Sequence, residues 1–328
     1  MSDQLLFAME VTLNGLMAGV LYALVALGFV LIYKASGIFN YAQGVMALFA
    51  AMTLVGIMDG QVPFSHLINA IFGTDIHHFG WHLPALLAIL LTMVVMAALA
   101  WCVQQFVMRY LIGQAPIILF MATIGLAYFL EGLADLMWGS EIRKLDVGLP
   151  QGLNETIDSV TFGLFGYGFF IDNLDIVATV IAALLVIALV IFSQYTKQGR
   201  AMRAVADDHQ AALSVGISLN FIWVMVWSVA GFVALVAGIM WGTKSGVQFS
   251  LSLIALKALP VLMLGGFTSI PGAIVGGLII GVGEKLFDFF LGPMLGGATE
   301  NWFAYVLALL FLVFRPQGLF GDRIIERV

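Results

Sequence analysis

The chain has 328 residues, of which 62% are hydrophobic and only 10% are charged, and its mean hydropathy is +1.06. Soluble domains carry roughly a quarter charged residues, so a soluble protein of this size could not bury so much apolar surface. The net charge of −6 and the lack of any basic run exclude a nucleic-acid-binding protein. The sequence therefore predicts an all-α polytopic membrane protein.

The N-terminal segment predicts a first span that is not cleaved. Neither a positively charged stretch nor a small-residue cleavage site precedes the first long apolar run, as both would in a secretory signal peptide. The span extends from about Glu10 to Tyr33, since a helix needs about 20 apolar residues to cross a bilayer. Gly15 and Gly19 give it a face for close helix approach. Lys34 marks a cytoplasmic end, which predicts an N-terminus outside.

A polar corner follows at residues 36–44, directly before apolar sequence that reaches Ile57. Asn40, Gln43 and Gly44 lie in this corner. One interpretation is a helix that begins late or is interrupted, which would place these three residues on a translocation path. The other is a plain cytoplasmic turn that caps the next helix. The residues alone favour neither.

Residues 59–82 predict an external loop that holds four of the five histidines. His78 and His82 have helical i, i+4 spacing, but nothing nearby completes a ligand set, so we predict no metal site. The third span covers residues 83–105 and the fourth residues 115–138. Glu131 and Asp135 lie near the outer end of the fourth span, where a solvated mouth or an interhelical hydrogen bond explains them better than a function inside the membrane.

A second external loop is predicted at residues 139–172, where acidic residues exceed basic ones and a soluble binding protein could rest. The fifth span covers residues 174–195. The sixth covers residues 221–243.

Between the fifth and sixth spans lies a polar stretch, residues 199–216, that predicts a cytoplasmic helix. Arg200 and Arg203 place it on the cytoplasmic face, and Gly216 suits the position just after a helix end. Arg203 is one turn from Asp207 and can pair with it. A short amphipathic helix of mixed charge can lie in solvent, on lipid or against a protein partner.

A second interrupted segment follows the sixth span. Pro260 removes a helix donor, and Gly265 and Gly266 loosen the backbone. Such a break is tolerated at membrane depth only where protein or a cavity supplies hydrogen-bond partners. Pro260, Gly265, Gly266 and Thr268 are therefore further candidates for the translocation path.

The C-terminal part predicts close helix packing and a final span. Glycines spaced four apart between residues 272 and 281 favour backbone contact. The final span covers residues 302–314, and Arg315 places the tail in the cytoplasm. The prediction is about eight to ten transmembrane helices, with broken or re-entrant segments, in a single permease domain over residues 1–328.

Several motifs resemble the permease subunits of ABC importers, and in particular those of the branched-chain amino acid family of LivH type. Gln210-Ala211-Ala212-x-x-x-Gly216 is similar to the Glu-Ala-Ala-x-x-x-Gly loop of importer permeases, with Gln210 in place of Glu. The run from Gly199 to Ile217, the glycine pattern from Gly265 to Gly277 and the tail from Arg315 to Gly321 resemble the branched-chain family. Asn40, Ala42 and Gly44 also match a pattern that its members carry.

In that family the segment at residues 199–216 is the coupling helix, which seats in a groove of the ATPase subunit. The resemblance implies that the coupling residues here are Arg200, Arg203, Asp207, Asp208, Gln210, Ala211, Ala212 and Gly216. It also implies two ATPase subunits that bind ATP-Mg, a second similar permease subunit in a heterodimer, and a periplasmic or lipid-anchored binding protein. The location implied is the bacterial inner (plasma) membrane, in contact with lipid.

The chain itself carries no motif for chemistry. It has no Gly-x4-Gly-Lys-Ser/Thr loop to hold a phosphate and no recognisable catalytic constellation, so we predict a non-catalytic subunit without a cofactor of its own. The resemblance implies import of branched-chain or other small apolar amino acids, with urea, short amides or aromatic acids as alternatives. An ATP-independent secondary transporter is less favoured, because no relay of ionisable residues runs through the spans.

Overall fold

A computed structural model of the chain describes residues 3–111, 113–297 and 299–321. The described residues form thirteen α-helices and two short 3-10 helices, Met108–Leu111 and Phe249–Leu253. The α-helices are α1 (Asp3–Ser36), α2 (Gln43–Met58), α3 (Ser65–Phe72), α4 (Ala85–Phe106), α5 (Pro116–Trp138), α6 (Glu155–Phe165), α7 (Asn173–Tyr195), α8 (Lys197–Asp207), α9 (His209–Ser214), α10 (Leu219–Ser245), α11 (Ile254–Gly265), α12 (Ile270–Leu295) and α13 (Glu300–Phe314).

Five of the described helices are long and apolar enough to cross a membrane: α1, α4, α5, α7 and α10. A sixth candidate is the pair formed by Phe249–Gly265 and α12, which are bent by 114° at the break between them. α2 and α13 are shorter apolar helices of 16 and 15 residues. The five long helices, the bent pair and the two short helices make eight apolar segments. This confirms the predicted all-α membrane fold with a broken segment.

The described chain divides into two compact units. The first comprises the described parts of Met1–Val30, Leu149–Val190 and Leu256–Val328, and the second comprises those of Leu31–Gly148 and Ile191–Ala255.

In the second unit, α2 is the central helix. Every residue from Gln43 to Gly56 is buried, and α2 packs against α4, α5 and α10. The indole of Trp138 lies directly on Gly56, where a Cβ atom would collide with it, and its Nε1 donates to Thr53 Oγ1 at 3.2 Å. Only about a third or less of the side chains of α4 and α5 are buried, as expected of helices that face lipid.

In the first unit, α1 packs against α12 through glycines. A Cβ atom added to Gly19 would lie 2.6 Å from Gly277 O, and one added to Gly277 would lie 2.6 Å from Gly19 O. Gly15 and Gly281 make a similar contact one turn away. The sequence prediction that both sets of glycines permit close helix approach is confirmed, and the structure adds that these two helices are each other's partners.

The two segments predicted as external loops each contain a helix. α3 lies within residues 59–82 and α6 within residues 139–172. Asn154 caps α6, since its side chain accepts from Ile157 N at 2.9 Å. Short helices with their own caps are compatible with a surface segment, but they are more ordered than a plain loop.

The predicted break lies at its glycines and not at Pro260. Pro260 is inside α11, and the helix continues to Gly265. The chain turns at Gly266, whose φ of +102° is favoured only for glycine. Ser269 then caps α12 by accepting from Gly272 N at 3.0 Å. A single missing donor at Pro260 is tolerated, whereas the positive φ and the serine cap end one helix and begin another.

Candidate functional site

The polar segment between α7 and α10 forms two helices, α8 and α9. Thr196 caps α8 by accepting from Gly199 N at 2.9 Å, and Asp208 caps α9 by accepting from Gln210 N and Ala211 N at 2.7 and 3.0 Å. The prediction of one helix over residues 199–216 is therefore wrong. Asp208 takes an extended backbone and breaks it, because an aspartate side chain competes for the amides that begin a helix.

The α8–α9 element, defined as residues 197–216, has one buried and one exposed face. Gly199, Met202, Val205 and Ala212 are buried. The exposed face contains most of the residues predicted to couple: Arg200, Asp207, Asp208, Gln210, Ala211 and Gly216. Sequence reasoning missed two apolar side chains on that face, Leu213 and Val215, of which Val215 is 74% exposed. Apolar side chains rimmed by charged ones are typical of a surface that binds protein.

Arg203 has a different partner from the one predicted. Its Nη1 donates to Ser193 O, and its Nη2 donates to Gln194 O at 3.4 Å. These carbonyls belong to the last turn of α7, which has no further helical donors for them. Arg203 therefore joins α8 to the end of α7, in place of the predicted pair with Asp207.

Gly199 brings α8 against the same end of α7. A Cβ atom at this position would collide with Phe192 O and Ser193 O, so only glycine allows the approach. Together with Arg203, this contact fixes α8 to α7.

Gly216 occupies the position predicted for it. Its φ is +83°, its N–H donates to Leu213 O at 3.0 Å, and Ile217 N donates to Ala212 O at 3.0 Å. These two bonds are the Schellman motif that ends α9. Two residues later Ser218 caps α10, so the path from α9 into α10 is as ordered as the path from α7 into α8.

The polar corner has its two amide side chains, Asn40 and Gln43, hydrogen-bonded in the interior. Asn40 Oδ1 accepts from Ala42 N at 3.2 Å, Asn40 Nδ2 donates to Gln43 Oε1 at 3.3 Å, and Gln43 Nε2 donates to Ala230 O at 3.2 Å. Both side chains are buried. Of the two interpretations, the late-starting helix describes the chain better: α2 begins only at Gln43 and has no side-chain cap. Gly44 permits contact with Ser252 O, where a Cβ atom would collide.

The break between α11 and α12 is held by the C-terminal tail. Leu319 N donates to Leu264 O at 2.8 Å, and Phe320 N donates to Gly265 O at 3.2 Å. Gly265 and Gly266 are buried beneath this contact, and a Cβ atom on Gly266 would lie 2.8 Å from Gly321 N. The carbonyls at the end of α11 thus have protein partners. Pro260 is buried and Thr268 is half-buried.

A buried ion pair in the first unit was not predicted. Lys257 Nζ on α11 donates to Glu284 Oε1 on α12 at 2.5 Å and to Glu300 O at 3.1 Å, and Tyr22 OH donates to Glu284 Oε1 at 3.4 Å. Glu284 is only 1% exposed. The two charges are 27 residues apart, so no local pattern relates them. The only signal in the sequence is that each charge interrupts an apolar run.

Metal ligation is not a feature of the described residues, which contain no group of three or more His, Cys, Asp or Glu that could hold an ion.

Comparison with known proteins relates the chain to one family. Residues 11–315 match the family described as branched-chain amino acid transport system / permease component. The chain belongs to this family. The chain is 29% identical to the high-affinity branched-chain amino acid transport system permease protein LivH of Escherichia coli (strain K12), over 100% of both chains. It is also 29% identical to BraD of Pseudomonas aeruginosa, over 96% of both chains.

A more distant relative is named for a different solute. The fructose import permease protein FruG of Bifidobacterium longum is 22% identical and covers 88% of this chain and 82% of its own. Family membership together with the apolar helices makes this chain an inner-membrane permease of the ABC class. The relatives named above are all permease proteins.

Proposed function

We propose that this permease is a non-catalytic transmembrane subunit of an ATP-driven importer for branched-chain or other small apolar amino acids. The observation that carries the proposal is the α8–α9 element. It presents charged and apolar side chains on one exposed face, while its buried face and its caps fix it to the ends of two long helices.

The mechanism we propose is alternating access, with its energy supplied by partner subunits and not by this chain. Two ATPase subunits, which bind ATP-Mg, hold the exposed face of the α8–α9 element and move it when they close. Because Arg203 and Gly199 fix α8 to α7, and because α9 leads directly into capped α10, the movement tilts both helices. The path then opens toward the cytoplasm.

The other parts of the assembly follow from the same proposal. A second, similar permease subunit completes the pathway in a heterodimer, and a periplasmic or lipid-anchored binding protein delivers the solute. The C-terminus lies in the cytoplasm and the N-terminus outside. The polar corner at Asn40, Gln43 and Gly44 and the break at Gly265, Gly266 and Thr268, with Pro260 before it, are proposed to shape the path.

Amino acids are favoured over sugars as the solute. The relatives named for branched-chain amino acid transport are 29% identical over nearly full length, against 22% for the fructose permease FruG. Branched-chain side chains also suit spans with so few charges. Urea, short amides and aromatic acids remain the alternative solutes, with an ATP-independent transporter a less favoured one.

The coupling proposal is tested with Arg200→Glu in the assembled transporter. Arg200 is exposed and makes none of the bonds described above, so the fold should survive the charge reversal. We expect import into membrane vesicles and co-purification of the ATPase subunits both to fall strongly, at an unchanged level of permease in the membrane. Arg109→Glu is the matched control, because Arg109 is also an exposed arginine and lies outside the α8–α9 element and both predicted external loops. Full uptake by the Arg200→Glu transporter would refute the proposal.

The solute is tested by competition. We expect unlabelled leucine, isoleucine or valine to compete with labelled leucine for import, while fructose and urea do not. Import that needs no ATP, or that fructose abolishes, would overturn the assignment.

A further inference from the structure

The segment at residues 65–81, which consists of α3 and the turn after it, exposes a cluster of large apolar side chains, with one acidic side chain, Asp75, exposed on the turn. Phe72 is 72% exposed and Ile71 is 65% exposed, and Leu67, Ile76, Phe79 and Trp81 are exposed as well. In a helix that lies on a soluble protein the pattern is the reverse, because water favours polar side chains. The outer surface of this segment therefore matches an apolar environment.

The polar groups around Asn69 are hydrogen-bonded within the segment. Asn69 Oδ1 accepts from Thr74 Oγ1 at 2.9 Å and from Ile76 N at 3.0 Å, and Asn69 Nδ2 donates to Ile76 O at 3.2 Å. These bonds close the turn at the end of α3. A backbone that leaves water needs such partners, because lipid offers none.

Three hydrogen bonds hold the segment and the residues that flank it, and two of them are to carbonyls in the last turns of α5 and α2. Phe64 N donates to Met137 O, in the last turn of α5, at 3.0 Å. Val62 N donates to His77 O at 3.0 Å, and Leu83 N donates to Met58 O, the last residue of α2, at 3.1 Å. α4 begins two residues after Leu83. The segment therefore lies at the level where α2 and α5 end and α4 begins, which is the depth of the membrane–water boundary.

The exposed apolar surface continues from the segment onto α4. Leu86, Leu90 and Val94 are four residues apart, share one face of that helix and are all exposed. This face of α4 contacts lipid if α4 spans the membrane. Aromatic side chains such as Phe72, Phe79 and Trp81 at the boundary between such a face and water are typical of the interfacial belt.

We propose that residues 65–81 lie in the membrane interface, with α3 as an interfacial helix whose exposed side chains insert among the lipids. The contact is apolar in origin. The segment contains no lysine or arginine and has one acidic residue, Asp75, so attraction to anionic headgroups contributes nothing to it. This proposal does not depend on the solute or on coupling to an ATPase.

The test is site-directed spin labelling of the assembled transporter in phosphatidylcholine nanodiscs. The chain has a single cysteine, Cys102, so Cys102→Ser gives a background for labels at Phe72→Cys and, as the matched control, Asp75→Cys. The Asp75 side chain is 95% exposed and only three residues away. We expect the Phe72 label to collide mainly with oxygen, which partitions into lipid, and the Asp75 label mainly with a water-soluble nickel chelate.

Two results would overturn the proposal. A Phe72 label as open to nickel as the Asp75 label would place the segment in water. A Phe72 label shielded from both reagents would mean that a protein partner covers the face. A label at Phe79→Cys repeats the measurement should the Phe72 variant fail to accumulate. Replacing a third of the lipid with phosphatidylglycerol should leave all values unchanged, and a requirement for anionic lipid would contradict the apolar basis.

Discussion

The glycine contact between α1 and α12 makes a quantitative prediction for Gly277→Ala. The new Cβ atom would lie 2.6 Å from Gly19 O, against the 3.4 Å at which ordinary contact begins, so the helices must separate locally by about 0.8 Å. The obstacle is backbone, which no rotamer change can move aside. Overpacking of this kind costs about 1–3 kcal/mol, and the upper half of that range is expected because α1 and α12 are both long.

The assay is thermal unfolding of the purified chain in detergent. We expect Gly277→Ala to lower the midpoint by several degrees and Gly277→Val to lower it further. Gly125→Ala on α5 is the matched control, since a Cβ atom there meets nothing within 4 Å. Because alanine is the better helix former by about 1 kcal/mol, the control should unfold at the wild-type temperature or slightly above it.

A second variant separates the backbone clash from side-chain crowding. The Cβ atom of Gly277→Ala would also lie 2.8 Å from Ala23 Cβ. Adding Ala23→Gly removes that contact but leaves Gly19 O in place, so the double variant should remain clearly less stable than wild type. If Gly277→Ala were as stable as Gly125→Ala, the close approach of α1 and α12 would be refuted.

Three further predictions concern single sites. Glu284→Gln leaves the Lys257 ammonium without its carboxylate partner. It should lower the free energy of unfolding by an amount toward the lower end of about 3–5 kcal/mol, because Lys257 is a quarter exposed. The double variant Lys257→Met with Glu284→Leu should lose less stability, and thermal unfolding measures both. Asp208→Ala removes the cap of α9 at a cost of about 1 kcal/mol, whereas Asp208→Asn should keep it, and amide hydrogen exchange at Gln210 reports the difference. Gly216→Val forces a β-branched residue to φ +83° at a cost of about 1–2 kcal/mol, and limited proteolysis after α9 should be faster than in Gly216→Asn. Equal behaviour within any of these pairs would count against the contact concerned.

Sequence reasoning located the spans well because their signal is local. The third span was predicted at residues 83–105 and α4 is Ala85–Phe106; the fourth was predicted at residues 115–138 and α5 is Pro116–Trp138. About 20 apolar residues between polar ones leave little freedom in where a helix can lie. The polar stretch at residues 199–216 was located in the same way, because apolar sequence lies on both sides of it.

The details that failed depend on competition between neighbouring signals or on distant contacts. Asp208 splits the predicted cytoplasmic helix because a cap outweighs the helix propensity of the alanines around it. Pro260 stays inside α11 because the break forms where Gly266 and Ser269 act together. The pairing of Lys257 with Glu284 depends on how α11 and α12 pack, and no periodicity in the sequence encodes that.

The hydrogen bonds from Leu319 and Phe320 to the end of α11 make the final residues of the described chain part of the fold around the break between α11 and α12. Shortening the protein after Phe314 would remove the donors of two carbonyl oxygens, Leu264 O and Gly265 O, at a turn whose glycines are buried. We therefore expect the bent helix pair and residues 319–321 to fold as one unit. Truncation after Phe314 should change the angle between α11 and α12 before it changes any other part of the subunit.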